Sequence, residues 1–296
     1  MFTYLLRLLQ LCGIVQITSL SSKARATQWV ESLEPKIRKK WIRRKLFPPI
    51  TIALSSVEAP SPALFEMYSK QVFVIDTRVV SNTNWKHLLL QGNQPMPKFV
   101  PYRLLRRPGE AFEMKAWRKN TKPSLSQVRQ LLTGMGLDPD KEFVLLSLRE
   151  ASYYEYLNQR PGINSGSETL PNTYVRNPQI ATYLEISKKL QSLGIQVIRF
   201  GISSNQLPTE FDGVVFDYSM RCRTPERDLI LGQHCRALIS GASGSWCFVS
   251  PHNRPVVFTN SYVPFASGPS TRDRFIPQLL FDESEQRLLT FSEMLE

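Results

Sequence analysis

Residues 240–245 read Ser-Gly-Ala-Ser-Gly-Ser, two glycines and three serines between the strand-like run "RALIS" and an apolar continuation that reads as a helix. Hydroxyls and glycine backbone in such a turn can present a nucleophile, cradle a phosphate, or simply reverse the chain. The nucleophile would be Ser243, whose surroundings follow the Gly-x-Ser-x-Gly elbow except that Ser245 takes the last place. That chemistry draws its histidine from later in the chain, and the only later one, His252, is nine residues on. Phosphate binding requires less: backbone N–H groups that approach closely, a helix N-terminus, and hydroxyls on Ser243 and Ser245 beside Gly241 and Gly244. No Gly-Lys-Ser/Thr and no Gly-x-Gly-x-x-Gly accompanies the turn, so taken alone it is also compatible with a plain strand-to-helix junction.

Other chemistry-bearing residues close the neighbouring strand-like runs. "FVLLSLRE" ends in Arg149 and Glu150, "VIRFG" in Arg199 and Gly201, and "VVFDY" in Asp217 and Tyr218. An arginine that closes an apolar strand can bring a planar fork to a diphosphate, the alternative being an ion pair with Glu150 or Glu155. In an open α/β sheet ligands bind at the carboxyl ends of the strands, where these groups and the serine turn would gather. Arg223, Arg227 and Asp228 at the start of the next helix read as capping or solvated charges, with Arg223 within reach of the cleft. Asp138-Pro139-Asp140 is a literal Asp-x-Asp, but proline and the preceding glycines make it a turn rather than a cation site.

The elements that must position these groups alternate in type. "PPITIALSS", "SPALFEMYSK" and "QVFVIDTR" form a strand, helix, strand unit with the helix opening at Ser61 or Pro62. Residues 81–123, with prolines at 95, 97, 101 and 108 and Arg103, Arg106 and Arg107, read as an irregular crossover. From Ser124 the order is helix "LSQVRQLLTGMG", strand "EFVLLSLRE", a polar loop over 158–178, helix "QIATYLEISKKLQSLG", and strand "IQVIRFG". Strand "GVVFDY", a helix opening at Thr224, "RALIS", the serine turn, a helix and "PVVFTN" complete it. This alternation predicts an α/β fold with a parallel sheet covered on both faces. The domains are a helical and basic segment over 1–47, a small α/β domain over 48–123 and a Rossmann-like domain over 124–296.

Five short motifs in this order carry a resemblance: the strand ending in Arg149, the Tyr-x-Arg-Asn loop Tyr174 to Asn177, "VIRFG", the Ser-Gly-x-Ser-Gly turn, and the segment from Asn260 to Pro264. Together they resemble a bacterial glycosyltransferase family with a GT-B-like fold, distantly similar to fucosyltransferases, over about residues 50–296. The resemblance implies a nucleotide-sugar donor in the C-terminal domain, acceptor contacts from the N-terminal one, and no metal and no cofactor. Carried over, Arg149 would neutralise the donor diphosphate. Arg176, Asn177 and residues 240–245 would contact the donor, and Tyr174, Asn260 and Pro264 would line the cleft; the strand-end residues Arg199, Gly201, Asp217 and Tyr218 join the expected donor contacts, and Tyr153 and Arg223 the expected cleft lining. The family often places a histidine two residues before the arginine, where this chain has Ser147, so the general base is left without a name, Glu150 and Glu155 being the nearest carboxylates. The acceptor is expected to be a glycan or a lipid-linked sugar, as in polysaccharide biosynthesis. A different sugar-modifying transferase, such as a pyruvyl transferase, and a non-catalytic membrane or nucleic-acid adaptor are the competing readings.

Composition sets the remaining bounds. The 296 residues are 42% hydrophobic and 21% charged, which requires a packed core rather than a disordered chain. The net charge of +12 is uneven: residues 1–50 hold ten Lys or Arg against two Glu, much of it in "KIRKKWIRRK" at 36–45. With Leu5, Leu8, Leu9 and Cys12 on one face of an expected amphipathic helix, residues 1–45 suit either a packed, solvated helix face or a peripheral contact with an anionic membrane, and nucleic acid is disfavoured. Arg7, Gln10 and Gln16 interrupt the apolar start, and no cleavage site follows. Cys12, Cys222, Cys235 and Cys247 form no Cys-x-x-Cys pair and His87, His234 and His252 stand apart, which suits reduced thiols, a cytoplasmic setting and no protein-built metal site.

Overall fold

The structure is a computed structural model that describes residues 15–20, 50–55, 61–69, 72–76, 125–150, 177–203, 205–241, 243–261, 272–290 and 292–294. The chain divides into two compact units, residues 1–105 with 114–121 and residues 106–113 with 122–296.

The first unit holds a three-stranded parallel sheet in the order β1 (Val15–Leu20), β2 (Ile50–Ser55), β3 (Phe73–Asp76). Helix α1 (Pro62–Ser69) joins β2 to β3, with proline at its first turn and Ser61 Oγ accepting from the Leu64 N–H. Ala53, Ala63, Leu64, Met67, Tyr68 and Val72 form its buried apolar set. Strand β1 stands where the expected N-terminal helical segment covers residues 15–20. Val15 and Ile17 alternate with the polar Gln16 and Thr18, and the strand's backbone finds partners along β2 from Val15↔Ile50 to Leu20↔Ser55. Leu5, Leu8, Leu9, Cys12 and the basic run 36–45 lie outside the described residues.

The second unit is built on a six-stranded, all-parallel sheet of β4 (Phe143–Ser147), β5 (Gln196–Arg199), β6 (Val215–Asp217), β7 (Ala237–Ser240), β8 (Val256–Ser261) and β9 (Arg274–Pro277). The order is β6-β5-β4-β7-β8-β9. Counted from β4, this is the doubly wound 3-2-1-4-5-6 arrangement, and the direction of winding reverses between β4 and β7. β4 is buried at every position, as a strand covered on both faces must be. Helices α2 (Leu125–Gly134), α3 (Thr182–Ser192), the single turn α4 (Tyr218–Arg221) and α5 (Pro225–His234) supply that cover. On one side Leu146, Leu148, Val197 and Val215 pack with Tyr183 and Phe211. Helix α3 ends at Gly194, whose φ of +77° lets the Ile195 N–H reach the Leu190 carbonyl at 3.0 Å. Thr224 caps α5 by accepting the Arg227 N–H at 3.2 Å.

Two features depart from the sequence expectation in this unit. After the serine turn the chain forms two short 3-10 turns, Gly244–Phe248 and Ser250–His252, where an α-helix is predicted. Gly244 and Ser245 are weak helix formers, and Pro251 removes an N–H donor and restricts Ser250. Beyond β8, the strand β9 and the hairpin β10 (Phe281–Asp282) with β11 (Arg287–Leu288) have no counterpart among the predicted elements. Among the described residues no helix is long and apolar enough to cross a membrane.

Candidate functional site

At the reversal between β4 and β7, four serines gather at the carboxyl ends of the two central strands. Ser147 and Ser240 are register partners that close β4 and β7, and both are buried. Ser147 Oγ lies 2.6 Å from Ser245 Oγ and 3.4 Å from Ser243 Oγ, while Ser243 Oγ lies 2.9 Å from Ser240 Oγ. Ser240 donates to the Gly241 carbonyl at 2.9 Å, and Ser243 donates to Ser245 Oγ at 3.2 Å. The four hydroxyls are thus one chain of rotors, and each can swing its proton toward an arriving acceptor without moving the backbone. Ser243 also caps the 3-10 turn by accepting the Ser245 N–H at 3.4 Å.

Gly201 forms the floor beside them. Its φ of +109° is a glycine conformation, and a Cβ there would stand 3.4 Å from both Ser147 Oγ and Ser245 Oγ. The loop after β5 therefore approaches the serines as backbone. Ser147 is the member that the sequence reasoning missed as a positive feature, since it appears there only in place of a histidine. The signal that could have found it is a hydroxyl closing an otherwise apolar strand at the register of Ser240. Because only a short 3-10 turn follows, the helix N-terminus expected to add positive potential here is absent, a correction that leaves the hydroxyls and the turn's backbone as the available donors.

The charged residues sort differently from the expectation. Arg149 is buried immediately beyond β4, one residue before Glu150 and two after Ser147. Arg199 and Asp217 are register partners in adjacent strands, and Arg199 Nη1 donates to Asp217 Oδ2 at 2.7 Å. Asp217 Oδ1 accepts the Met220 N–H at 3.2 Å and so caps α4. Arg199 Nη2 donates to Glu150 Oε1, which joins both carboxylates to one guanidinium. Arg199, Asp217 and Glu150 thus face one another, although the sequence places them along a donor-binding edge.

Tyr218 belongs to a second internal cluster. It is fully buried against Phe200, and its hydroxyl lies 2.8 Å from Asp228 Oδ1 and accepts the Thr224 N–H at 3.2 Å. Burial, reinforced by the negative charge of Asp228, raises its pKa. Arg223 Nη2 donates to Asp228 Oδ2 at 2.6 Å, while its Nε is buried with no hydrogen-bond partner. Burial pushes the Asp228 carboxyl up to about 6, against the opposing pull of Arg223. Asn177, just before α3, has a buried Oδ1 with no partner, and Asn260 sits in β8 at φ +48° beside a register shift. Tyr153, Glu155, Tyr174, Arg176 and Pro264 lie outside the described residues.

Asp138 and Asp140 are a turn at the opposite ends of the strands. Asp138 Oδ1 accepts the Asp140 N–H at 2.9 Å, the Asp138 backbone exchanges bonds with the Gln196 side chain at 2.8 and 2.9 Å, and Asp140 pairs with Arg129 at 2.7 Å. The three described cysteines, Cys222, Cys235 and Cys247, form no disulfide. Burial raises the Cys235 thiol pKa to about 12, which leaves it inert.

No protein-family model and no curated protein sequence matches the chain. Among solved structures it is similar to an ADP-heptose LPS heptosyltransferase II from E. coli, with a TM-score of 0.53 at 14% identity, covering 90% of this chain and 91% of that one. A family 9 glycosyl transferase from Veillonella parvula superposes with a TM-score of 0.49 at 11% identity over 94% of each chain. The iron-containing dodecameric glycosyltransferase TibC from E. coli gives 0.40 at 13% identity, covering 92% of this chain and 63% of that one. The first of these shows the fold: an α/β, GT-B-like architecture with a Rossmann-type parallel sheet in the C-terminal half and a smaller N-terminal α/β unit.

Proposed function

We propose that the chain is a glycosyltransferase that moves a sugar from a nucleoside-diphosphate donor to a hydroxyl acceptor. One observation supports this reading: in a GT-B-like fold, four hydrogen-bonded serines gather at the winding reversal between β4 and β7, with Arg149 buried two residues beyond Ser147. The donor diphosphate would lie across this reversal, where the hydroxyls of Ser147, Ser240, Ser243 and Ser245 turn to donate and the backbone at Gly241 and Gly244 leaves room. As the anomeric carbon–oxygen bond breaks, the electron pair stays on the diphosphate, and Arg149 with the serines stabilises that charge without reorganising. The unpartnered Asn177 Oδ1 suits a sugar or ribose hydroxyl.

The transfer is proposed to need no metal. The Asp-x-Asp that could hold one is tied up at the amino ends of the strands, and an arginine with aligned donors can neutralise a diphosphate instead. ADP-heptose heads the donors to be tried, because the structurally similar E. coli protein is an ADP-heptose heptosyltransferase. The fucosyltransferase likeness read from the motifs has no support among these neighbours, and the proposal rests on the heptosyltransferase-like fold. A glycan or lipid-linked acceptor, a cytoplasmic setting and a membrane contact through residues 1–45 are parts of the same proposal.

Thermal denaturation with a panel of ADP-, UDP-, GDP-, CMP- and dTDP-sugars tests the binding. A donor at one hundred times its Kd is expected to stabilise the fold by about 2.7 kcal/mol. With the donor so found, Arg149→Ala is expected to lower turnover by roughly 10²–10³-fold with its melting temperature kept, and chelation is expected to change nothing. Silence across the whole panel favours the adaptor reading, and full turnover by Arg149→Ala removes that residue from the mechanism.

A further inference from the structure

Arg199 is the largest fully buried side chain of the described residues, and its fork is spent on the protein itself. Nη1 donates to Asp217 Oδ2 at 2.7 Å and to the Asn205 carbonyl at 2.8 Å, and Nη2 donates to Ser203 Oγ at 2.6 Å and to Glu150 Oε1. Glu150 Oε2 in turn accepts from Ser203 Oγ at 2.6 Å and from Asn205 Nδ2 at 3.3 Å. Both oxygens of Glu150 therefore accept hydrogen bonds. The exits of three adjacent strands, β4 through Glu150, β5 through Ser203 and Asn205, and β6 through Asp217, are tied to one guanidinium.

We infer that Arg199 and Glu150 are positioning residues: they clamp the turn that leaves β4 and thereby fix the aim of Arg149, which precedes Glu150 in the chain. The inference rests on the proposed role of Arg149. A diphosphate cannot recruit Arg199 without stripping the buried Glu150 and the half-buried Asp217 of their shared cation, so its net effect on the donor is geometric. Glu150 is poorly suited to act as the general base, because its charge is paired with a buried guanidinium and its oxygens already accept from Arg199, Ser203 and Asn205. The clamp also holds the segment that follows Gly201, whose backbone backs Ser147 and Ser245, so the same network steadies the serine wall.

Steady-state kinetics on the full chain test this with Glu150→Gln, Ser203→Ala, Arg149→Lys and the double variant Arg149→Lys/Glu150→Gln. Glu150→Gln and Ser203→Ala are expected to lower kcat by roughly ten- to a hundredfold with donor KM nearly unchanged, as misplacement of a reacting group does. In the Arg149→Lys background the further loss from Glu150→Gln is expected to shrink to less than about threefold, because the aim it maintains is already lost. The acidic limb of the pH–rate profile is expected to persist in Glu150→Gln. If Glu150→Gln fails to fold, Ser203→Ala, a loop residue that contributes only a hydroxyl to the network, carries the test. Fully multiplicative losses in the double variant, or disappearance of the acidic limb, overturn the positioning role while the proposed function stands. Absence of turnover by the wild-type chain with every nucleotide sugar overturns both.

Discussion

Asp228 should make the second unit more stable as the solution is acidified toward pH 5, against the usual trend for carboxylates. Its side chain is 1% exposed, and burial outweighs the attraction of Arg223, so its carboxyl titrates near 6 instead of at 3.8. The groups that face it are Arg223, the Tyr218 hydroxyl and, through its charge, Glu226. Because the folded value is raised, the stabilisation is complete below about pH 3.8 and is lost as pH rises through about 6. The full swing of about two pKa units corresponds to ~3 kcal/mol, of which linkage places about 1 kcal/mol between pH 7 and pH 5. Asp228→Asn keeps the shape and removes the titration. Melting curves of both proteins, recorded side by side from pH 7 to pH 5, isolate this group from every other carboxylate. The wild type is expected to gain about 2–4 °C on the variant over that interval. Curves that run parallel, or a wild type that loses ground, refute the assignment of a desolvated Asp228 whose carboxyl titrates near 6.

Other substitutions probe the packing and the site. A Cβ on Gly232 would lie 2.2 Å from the Phe248 carbonyl oxygen, so Gly232→Ala should force α5 off the 3-10 turn and lower stability by about 3 kcal/mol, read by urea denaturation. Gly201→Ala meets a φ of +109° as well as the two serine hydroxyls, and should weaken nucleotide-sugar binding together with stability, by about 1–3 kcal/mol in the latter. Tyr183→Phe removes the 2.7 Å bond to Thr259 Oγ1 and should cost about 1 kcal/mol in the same assay without altering donor turnover. Asp140→Asn should leave turnover and its insensitivity to chelators unchanged, since Asp140 pairs with Arg129 at the far ends of the strands.

The parallel sheet of the second unit is legible in the sequence because its signals are local. "FVLLS" and "ALIS" are apolar enough for strands buried on both faces, Thr224-Pro225 opens a helix and Gly194 closes one. What the sequence obscures is non-local. Arg199 and Asp217 each close a strand, and nothing in the linear order says that β5 and β6 place them at the same register, where they satisfy each other. Ser147 and Ser240 are 93 residues apart and meet only because the winding reverses between their strands. The strand Val15–Leu20 reads ambiguously from its apolar content alone, and pairing with β2 decides it. Past β8, Arg274–Pro277 is a half-exposed strand whose single apolar stripe is too short to stand out.

The most direct measurement of where the donor sits is amide hydrogen exchange on the full chain with and without a saturating nucleoside-diphosphate sugar. Protection should appear in three separate stretches that converge on the winding reversal: 147–150 after β4, 200–203 after β5 and 240–248 after β7. The Asp138–Asp140 turn should exchange at the same rate in both samples. Protection confined to that turn, or a bound nucleotide sugar that leaves the three stretches unprotected, would contradict a donor site at the winding reversal.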